Sequence, residues 1–232
     1  MGPPEQQVTR VLAIRHGETE WNRDGRIQGH LDIALSATGR WQARRLGQAL
    51  AEEAIAAVYA SDLSRALETA QAVARGRDRP VVTDTGLRER GFGSFEGLSY
   101  AQIHARWPEL GERWRRRDPA FGAPGGETLE SFYERSVATA SRLAAGHPGE
   151  TIALVAHGGV MDCLYRAASR VTLDAPRSWQ LGNAAINRLL YTPQGFTLVG
   201  WADTGHLDGE ALDEDIDGAA AGSGARTVRA PG

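Results

Sequence analysis

His16 and His157 occupy the same local setting. Each stands at the end of a short apolar run, Thr9–Ile14 for the first and Thr151–Ala156 for the second, and each precedes a glycine. Runs of this kind read as buried strands, and ligands of parallel α/β sheets bind at the carboxyl ends of the strands. A glycine after each histidine lets a ligand or a partner loop come close to the backbone. Arg15 precedes the first histidine, and Arg65 falls on a helix after the second strand. Two imidazoles and two guanidiniums at one sheet edge make an anion site, most simply a phosphoryl site.

The elements that must position these groups follow from periodicity and turn chemistry. A helix is predicted over 39–54, with Trp41, Leu46, Ala49 and Leu50 on one buried face. Ile55–Tyr59 reads as a strand, and Ser61-Asp62 as the N-cap of a helix over about 62–75. Val81-Val82 is a third short strand. Residues 98–147 read as a helical cap broken by Pro108, Pro119 and the Gly122–Gly126 turn cluster. Two late strands, 184–191 and 196–201, pair as a hairpin across Pro193-Gln194-Gly195. The sum is an α/β three-layer sandwich, a mainly parallel central sheet flanked by helices with a small helical cap. The domain is read as 8–206. Residues 207–232, acidic and then Gly/Ala-rich, read as a disordered tail.

Composition narrows the chemistry. All 26 basic residues of the 232-residue chain are arginine, so lysine Schiff bases and the P-loop lysine are excluded. Cys163 is the single cysteine, which leaves no internal disulfide and no cysteine-built zinc site. The net charge of −3 is concentrated in seven acids within 203–217, and residues 1–202 carry 24 bases and 22 acids. A near-neutral body argues against a nucleic-acid partner. No apolar run is long enough to span a bilayer, and the first seven residues lack the form of a secretory signal. A cytoplasmic protein without membrane contact is expected.

Arg15-His16-Gly17-Glu18-Thr19-Glu20-Trp21-Asn22 resembles the signature of the histidine phosphatase superfamily, which includes the cofactor-dependent phosphoglycerate mutases. The resemblance continues through Arg26-Ile27-Gln28-Gly29 with Asp32, Ser61-Asp62-Leu63-Ser64-Arg65-Ala66 and the segment Leu87–Gly97, and ends at Ala156-His157-Gly158-Gly159. It implies that His16 is the nucleophile, carrying the phosphoryl group as phosphohistidine. It also implies that Arg15, Arg65 and His157 grip the equatorial oxygens. Glu89 would protonate the leaving oxygen and then activate water. Asn22, Gln28, Gly29 and Gly158 are further candidate substrate contacts, and no metal or organic cofactor is required. Taken singly, either histidine reads as a satisfied residue near a strand end, and Glu18 and Glu96 compete with Glu89 as carboxylates. His30, His104, His147 and His206 read as structural or surface residues, and Cys163, Trp41 and Trp201 as core.

Phosphatase and mutase share the phosphohistidine step and differ in the acceptor, water or a second hydroxyl. Mutases resembling this chain carry a longer insertion between the glutamate and the second histidine, where only 67 residues separate Glu89 from His157. They show Thr-Gly-Trp where this chain has Gln28-Gly29-His30, and a lysine where Tyr100 stands. Trp114-Arg115-Arg116 points the other way, resembling a mutase run that contacts the substrate carboxylate; its alternative is a solvated basic helix face. The balance favours a phosphatase for a small anionic metabolite, a sugar phosphate or phosphoglycerate-like compound, with Arg115 and Arg116 helping to select it. A mutase would require 2,3-bisphosphoglycerate. An inactive binding module on the same fold is the third reading. The expected partner is a small phosphorylated substrate, and a homodimer is left open.

Overall fold

The computed structural model describes residues 8–207. Of the tail, residues 208–232 lie outside the described residues. Six strands form one sheet: β1 (Thr9–Arg15), β2 (Ile55–Ala60), β3 (Val82–Thr83), β4 (Thr151–Ala156), β5 (Ile186–Thr192) and β6 (Gly195–Asp203). Their order is β3-β2-β4-β1-β5-β6. The first four run parallel, while β5 is antiparallel to β1 and forms a hairpin with β6.

The three layers follow from the two-residue period of the central strands. Val11, Ala13, Ile152 and Leu154 face α6 (Leu129–Ala145) and α7 (Gly158–Ser169). Leu12, Ile14, Ala153 and Val155 face the opposite way, onto α2 (Ala37–Ala49) and α3 (Ser64–Ala74). Every residue of β4 is buried, as expected of a parallel strand covered on both sides. The short helix α1 (Glu20–Arg23) follows β1 in the chain.

Helix α2 is shorter than the predicted 39–54 and turned about its axis. Ala49 is exposed and Trp41 half-buried, while Gln42 and Ala43 are buried beside Leu46. The reason is polar: the Gln42 side-chain oxygen accepts from the Glu18 backbone N–H at 2.8 Å, holding the loop after β1. Helix α3 starts at Ser64 with Leu63 at its cap, so Ser61-Asp62 is not the N-cap. Asp32, distant in sequence, accepts from the Ser64 N–H at 2.7 Å instead, and Asp62 pairs with Arg88.

The segment read as a cap over 98–147 divides in two. Helices α4 (Tyr100–Arg106) and α5 (Pro108–Arg115) share a small apolar cluster of Phe95, Ile103, Trp114, Phe121 and Ala123. Helix α6 instead joins the main core through Leu129, Phe132, Ala140 and Leu143. Its period-3.6 apolar face looks the same in sequence whether it covers a sheet or a pocket. The cap therefore ends near Thr128, the residue that caps α6.

Candidate active site

Strand register brings the two histidines together. Arg15 on β1 is paired with Ala156 on β4, so His16 and His157 leave neighbouring strands side by side. The His16 N–H donates to the Ala156 carbonyl at 3.0 Å. The ring centroids lie 5.2 Å apart with the planes inclined by 61°. Gly17 allows the chain to turn here, because a Cβ would meet the Gly39 carbonyl oxygen at 2.5 Å. Asn183 and Ala184 complete the support, donating to the His16 carbonyl at 3.1 and 3.2 Å.

His16 has a defined tautomer. Its Nδ1 lies 2.7 Å from the Gly17 carbonyl oxygen, which can only accept, so Nδ1 carries the proton and Nε2 keeps its lone pair. Burial, followed by the charges of Arg65 and Arg15, holds its pKa well below that of a free imidazole. His157 is fully buried at the start of α7, and neither ring nitrogen has a hydrogen-bond partner among the described residues. Burial and then Arg65 hold its pKa down as well. A buried imidazole without a protein partner suits an oxygen of a bound anion.

Arg15 and Arg65 are each only 1% exposed. Arg15 donates to the Leu181 carbonyl, and Arg65 donates to those of Leu31 and Gly29 at 2.8 Å each. Arg65 thereby fixes the loop that carries Gln28 and Gly29, which line a pocket together with His16, Arg65 and Glu89. Glu89 accepts from the backbone N–H groups of Arg90 at 2.9 Å and Gly159 at 3.0 Å. Its rivals are occupied structurally: Glu18 accepts from Ser36 Oγ, and Glu96 accepts from the N–H groups of His30 and Phe92.

Four expected contacts are placed differently. Gly158 is buried in the first turn of α7, and the neighbouring Gly159 lines the pocket. Asn22 closes the capping box of α1 with Thr19 and also receives a bond from Asn183, so it braces the loop. Arg115 and Arg116 are 48% and 73% exposed and both bind Glu112, whose carboxyl they pull down to about 2. Surface pairs of this kind contribute little. Replacing both arginines with alanine is expected to leave kcat/KM for anionic substrates within about twofold, and a change in substrate ranking would contradict this placement.

The end of α5 explains this placement. Trp114 in the last turn of α5 faces the pocket, and Arg117, beyond the helix end, turns back to line it through a left-handed backbone, φ 54°. Asp162 lines it too, three residues beyond Gly159 on α7, a spacing that could have revealed it. Arg90, missed in the sequence, is 5% exposed and bonded to the carbonyls of Glu127 and Phe121. Burial brings its pKa down to about 10, which leaves it charged at neutral pH.

A buried, cation-lined pocket at the carboxyl ends of two parallel strands, with a neutral histidine in it, defines a phosphoryl-transfer type of centre. The histidine phosphatase superfamily (branch 1) model matches residues 11–204, and the chain belongs to that family. It is 38% identical over 202 residues to phosphoglycerate mutase-like protein 4 of Arabidopsis thaliana, covering 85% of this chain and 86% of the relative. It is 35% identical over 206 residues to the metal-independent phosphoserine phosphatase of the same plant, covering 88% and 85%. A mycobacterial glucosyl-3-phosphoglycerate phosphatase superposes with a TM-score of 0.74 at 31% identity, covering 84% of this chain and 99% of that one. The second of these plant relatives is named as metal-independent, and among the described residues of this chain no cluster of His, Cys, Asp and Glu could hold a metal ion. Nor, among those residues, is any helix long and apolar enough to cross a membrane.

Two predictions follow from this geometry. The folded chain holds His16 and His157 neutral below the ordinary value of 6.5, so on acidification the unfolded chain takes up protons first. Above about pH 6.5 the two groups do not alter stability. Below it, stability falls by up to about 1.4 kcal/mol per pH unit for each histidine. Urea midpoints at about pH 7.5, 6 and 5 check the sign, and the slope should shrink in His157→Gln.

The second concerns Gly159. A Cβ there would lie 2.2 Å from Glu89 Oε1 and 3.0 Å from the Phe132 ring, so Gly159→Ala must displace the carboxylate. A loss of about 10²-fold in kcat/KM is expected from misplacement of this size. Unchanged kinetics in a folded variant would show that the Glu89 position does not matter.

Proposed function

We propose that this chain is a metal-independent phosphomonoesterase for small anionic metabolites, working through phospho-His16. The observation that carries the reading is the His16 tautomer: Nδ1–H is held by the Gly17 carbonyl and the ring is kept neutral by burial. In the first step Nε2 attacks phosphorus, the N–P bond forms and the ester P–O bond breaks. Protonated Glu89 gives its proton to the departing alkoxide. In the second step water attacks phosphorus from the side the alcohol vacated, Glu89 takes its proton, and the N–P bond breaks to release phosphate. Arg15, Arg65 and His157 hold the phosphoryl oxygens, where charge must be stabilised throughout.

The mutase reading keeps one specific support, the buried Arg90 and Arg117 on the pocket wall, which suit a substrate carboxylate. One comparison separates the two. Phosphate release from a panel of phosphomonoesters, with chelator present, is set beside conversion of 3- to 2-phosphoglycerate with 2,3-bisphosphoglycerate added. Fast release with negligible isomerisation is expected. The reverse result would make the chain a mutase, and labelling by neither route would leave a binding module.

A further inference from the structure

Among the polar groups on the pocket wall that the two-step chemistry does not use, one is left with an unpaired atom. Asp162 on α7 is 2% exposed, and its Oδ2 accepts from Arg117 at 2.7 Å and from Arg166 at 2.9 Å. Its Oδ1 is buried and has no hydrogen-bond partner among the described residues. Asp162 lines the same pocket as His16, and its exposure matches the 2% of His16 itself. Arg117 reaches it from the end of α5 with a left-handed backbone, φ 54°. Non-glycine residues in that region are strained and gather at ligand clamps. The same pocket is also lined by the aromatic rings of Phe92, Trp114 and Phe121.

An unsatisfied carboxylate oxygen in an apolar wall is costly, and a donor on the ligand would relieve that cost. The donor should be neutral. The rest of the wall is balanced, Arg65 and Arg90 against Glu89 and Asp118, while two guanidiniums already oppose the single Asp162 charge. An ammonium brought beside Asp162 would join them and be repelled, whereas a hydroxyl gains the hydrogen bond without that penalty.

We propose that Asp162 selects the leaving alcohol, its Oδ1 accepting from a second hydroxyl while the carbon skeleton lies against the aromatic wall. The preferred substrates are then polyol-type phosphomonoesters rather than alkyl or amine-bearing ones. This rests on the phosphomonoesterase reading above and assigns the side of the pocket away from phosphorus.

The test uses matched esters: alkyl, ω-hydroxyalkyl and ω-aminoalkyl phosphates of three, four and six carbons, so that reach is scanned together with chemistry. For at least one chain length, the hydroxyl compound should exceed its alkyl partner by about tenfold in kcat/KM, with the amine lowest. Asp162→Asn then removes the charged acceptor. The two guanidiniums require an acceptor at the Oδ2 position, so the amide oxygen stays there and the NH₂ group takes the place of Oδ1. The charged acceptor becomes a neutral donor to which the hydroxyl can only accept, so the charge-assisted bond is lost and the hydroxyl-to-alkyl ratio should fall several-fold toward one. The ratio is the readout because any general loss in the variant divides out. A wild-type ratio near one at every length, an amine preference, or a ratio unmoved in the variant would each overturn the proposal. Absence of phosphate release from every ester by the wild-type chain would contradict the phosphomonoesterase reading and remove this proposal with it.

Discussion

His16→Ala should lower phosphate release by at least about 10⁴-fold, to the level of whatever water attack the remaining site supports. Removing the nucleophile of a covalent mechanism is among the largest single losses known for enzymes, since the other groups act only in concert with it. The fold should survive, because the imidazole makes one side-chain hydrogen bond, to the neighbouring Gly17 carbonyl. The substitution also relieves the cost of burying a titratable ring between two arginines. Binding should persist through Arg15 and Arg65, so inorganic phosphate should still raise the melting temperature of the variant. Residual activity within about tenfold of wild type would show that the phosphoryl group passes directly to water, leaving His16 as a binding group. A different signature, loss of both turnover and phosphate-induced stabilisation, would point to collapse of the pocket.

Glu89→Gln carries the second large effect, and its size should depend on the leaving group. For an alkyl phosphate the departing alkoxide needs a proton, and loss of the acid should cost about 10²–10⁴-fold in kcat. For p-nitrophenyl phosphate the departing phenolate is stable without one, so formation of the covalent intermediate should be nearly unaffected. Breakdown still needs a base to take a proton from water, so the second step becomes limiting. The variant is not structurally neutral: Glu89 accepts from both Arg90 and Gly159, and an amide can accept only one of those bonds. Melting temperature must therefore be measured alongside. Equal slowing of the first step for alkyl and nitrophenyl esters would mean that Glu89 shapes the site without donating a proton.

How much of this was legible beforehand depended on what kind of signal each residue left. His16 and His157 could be paired because β1 and β4 are short, mostly apolar runs and each leads into a histidine followed by glycine. The register that puts them 5.2 Å apart follows once the two strands are parallel neighbours. Arg115 and Arg116 could be read either as substrate contacts or as a solvated face because a basic run carries no phase of its own, and the structure places them outside the pocket lining. Trp114, 4% exposed, sets the inward face of α5 and leaves Arg115 and Arg116 beside Glu112, while Arg117 comes inward through its left-handed backbone past the helix end. The α3 cap was hidden for another reason, since Asp32 supplies it from 32 residues away and no local pattern records such a bond. Asp162 and Arg90 were missed because one charged residue on an otherwise apolar or mixed helix or loop reads as surface. Only the packing of α5, α6 and α7 around one cavity shows them buried.

The central claim is the covalent step on His16, and the Glu89→Gln variant offers the most direct view of it. Mixed rapidly with p-nitrophenyl phosphate, it should release a burst of one nitrophenol per site, followed by slow turnover. Quenched in alkali and mapped by mass spectrometry, the protein should carry one base-stable, acid-labile phosphate on His16, absent when His16→Ala is added. Turnover by the wild-type chain with neither burst nor label in the variant, or a phosphate mapped to another residue, would contradict the account.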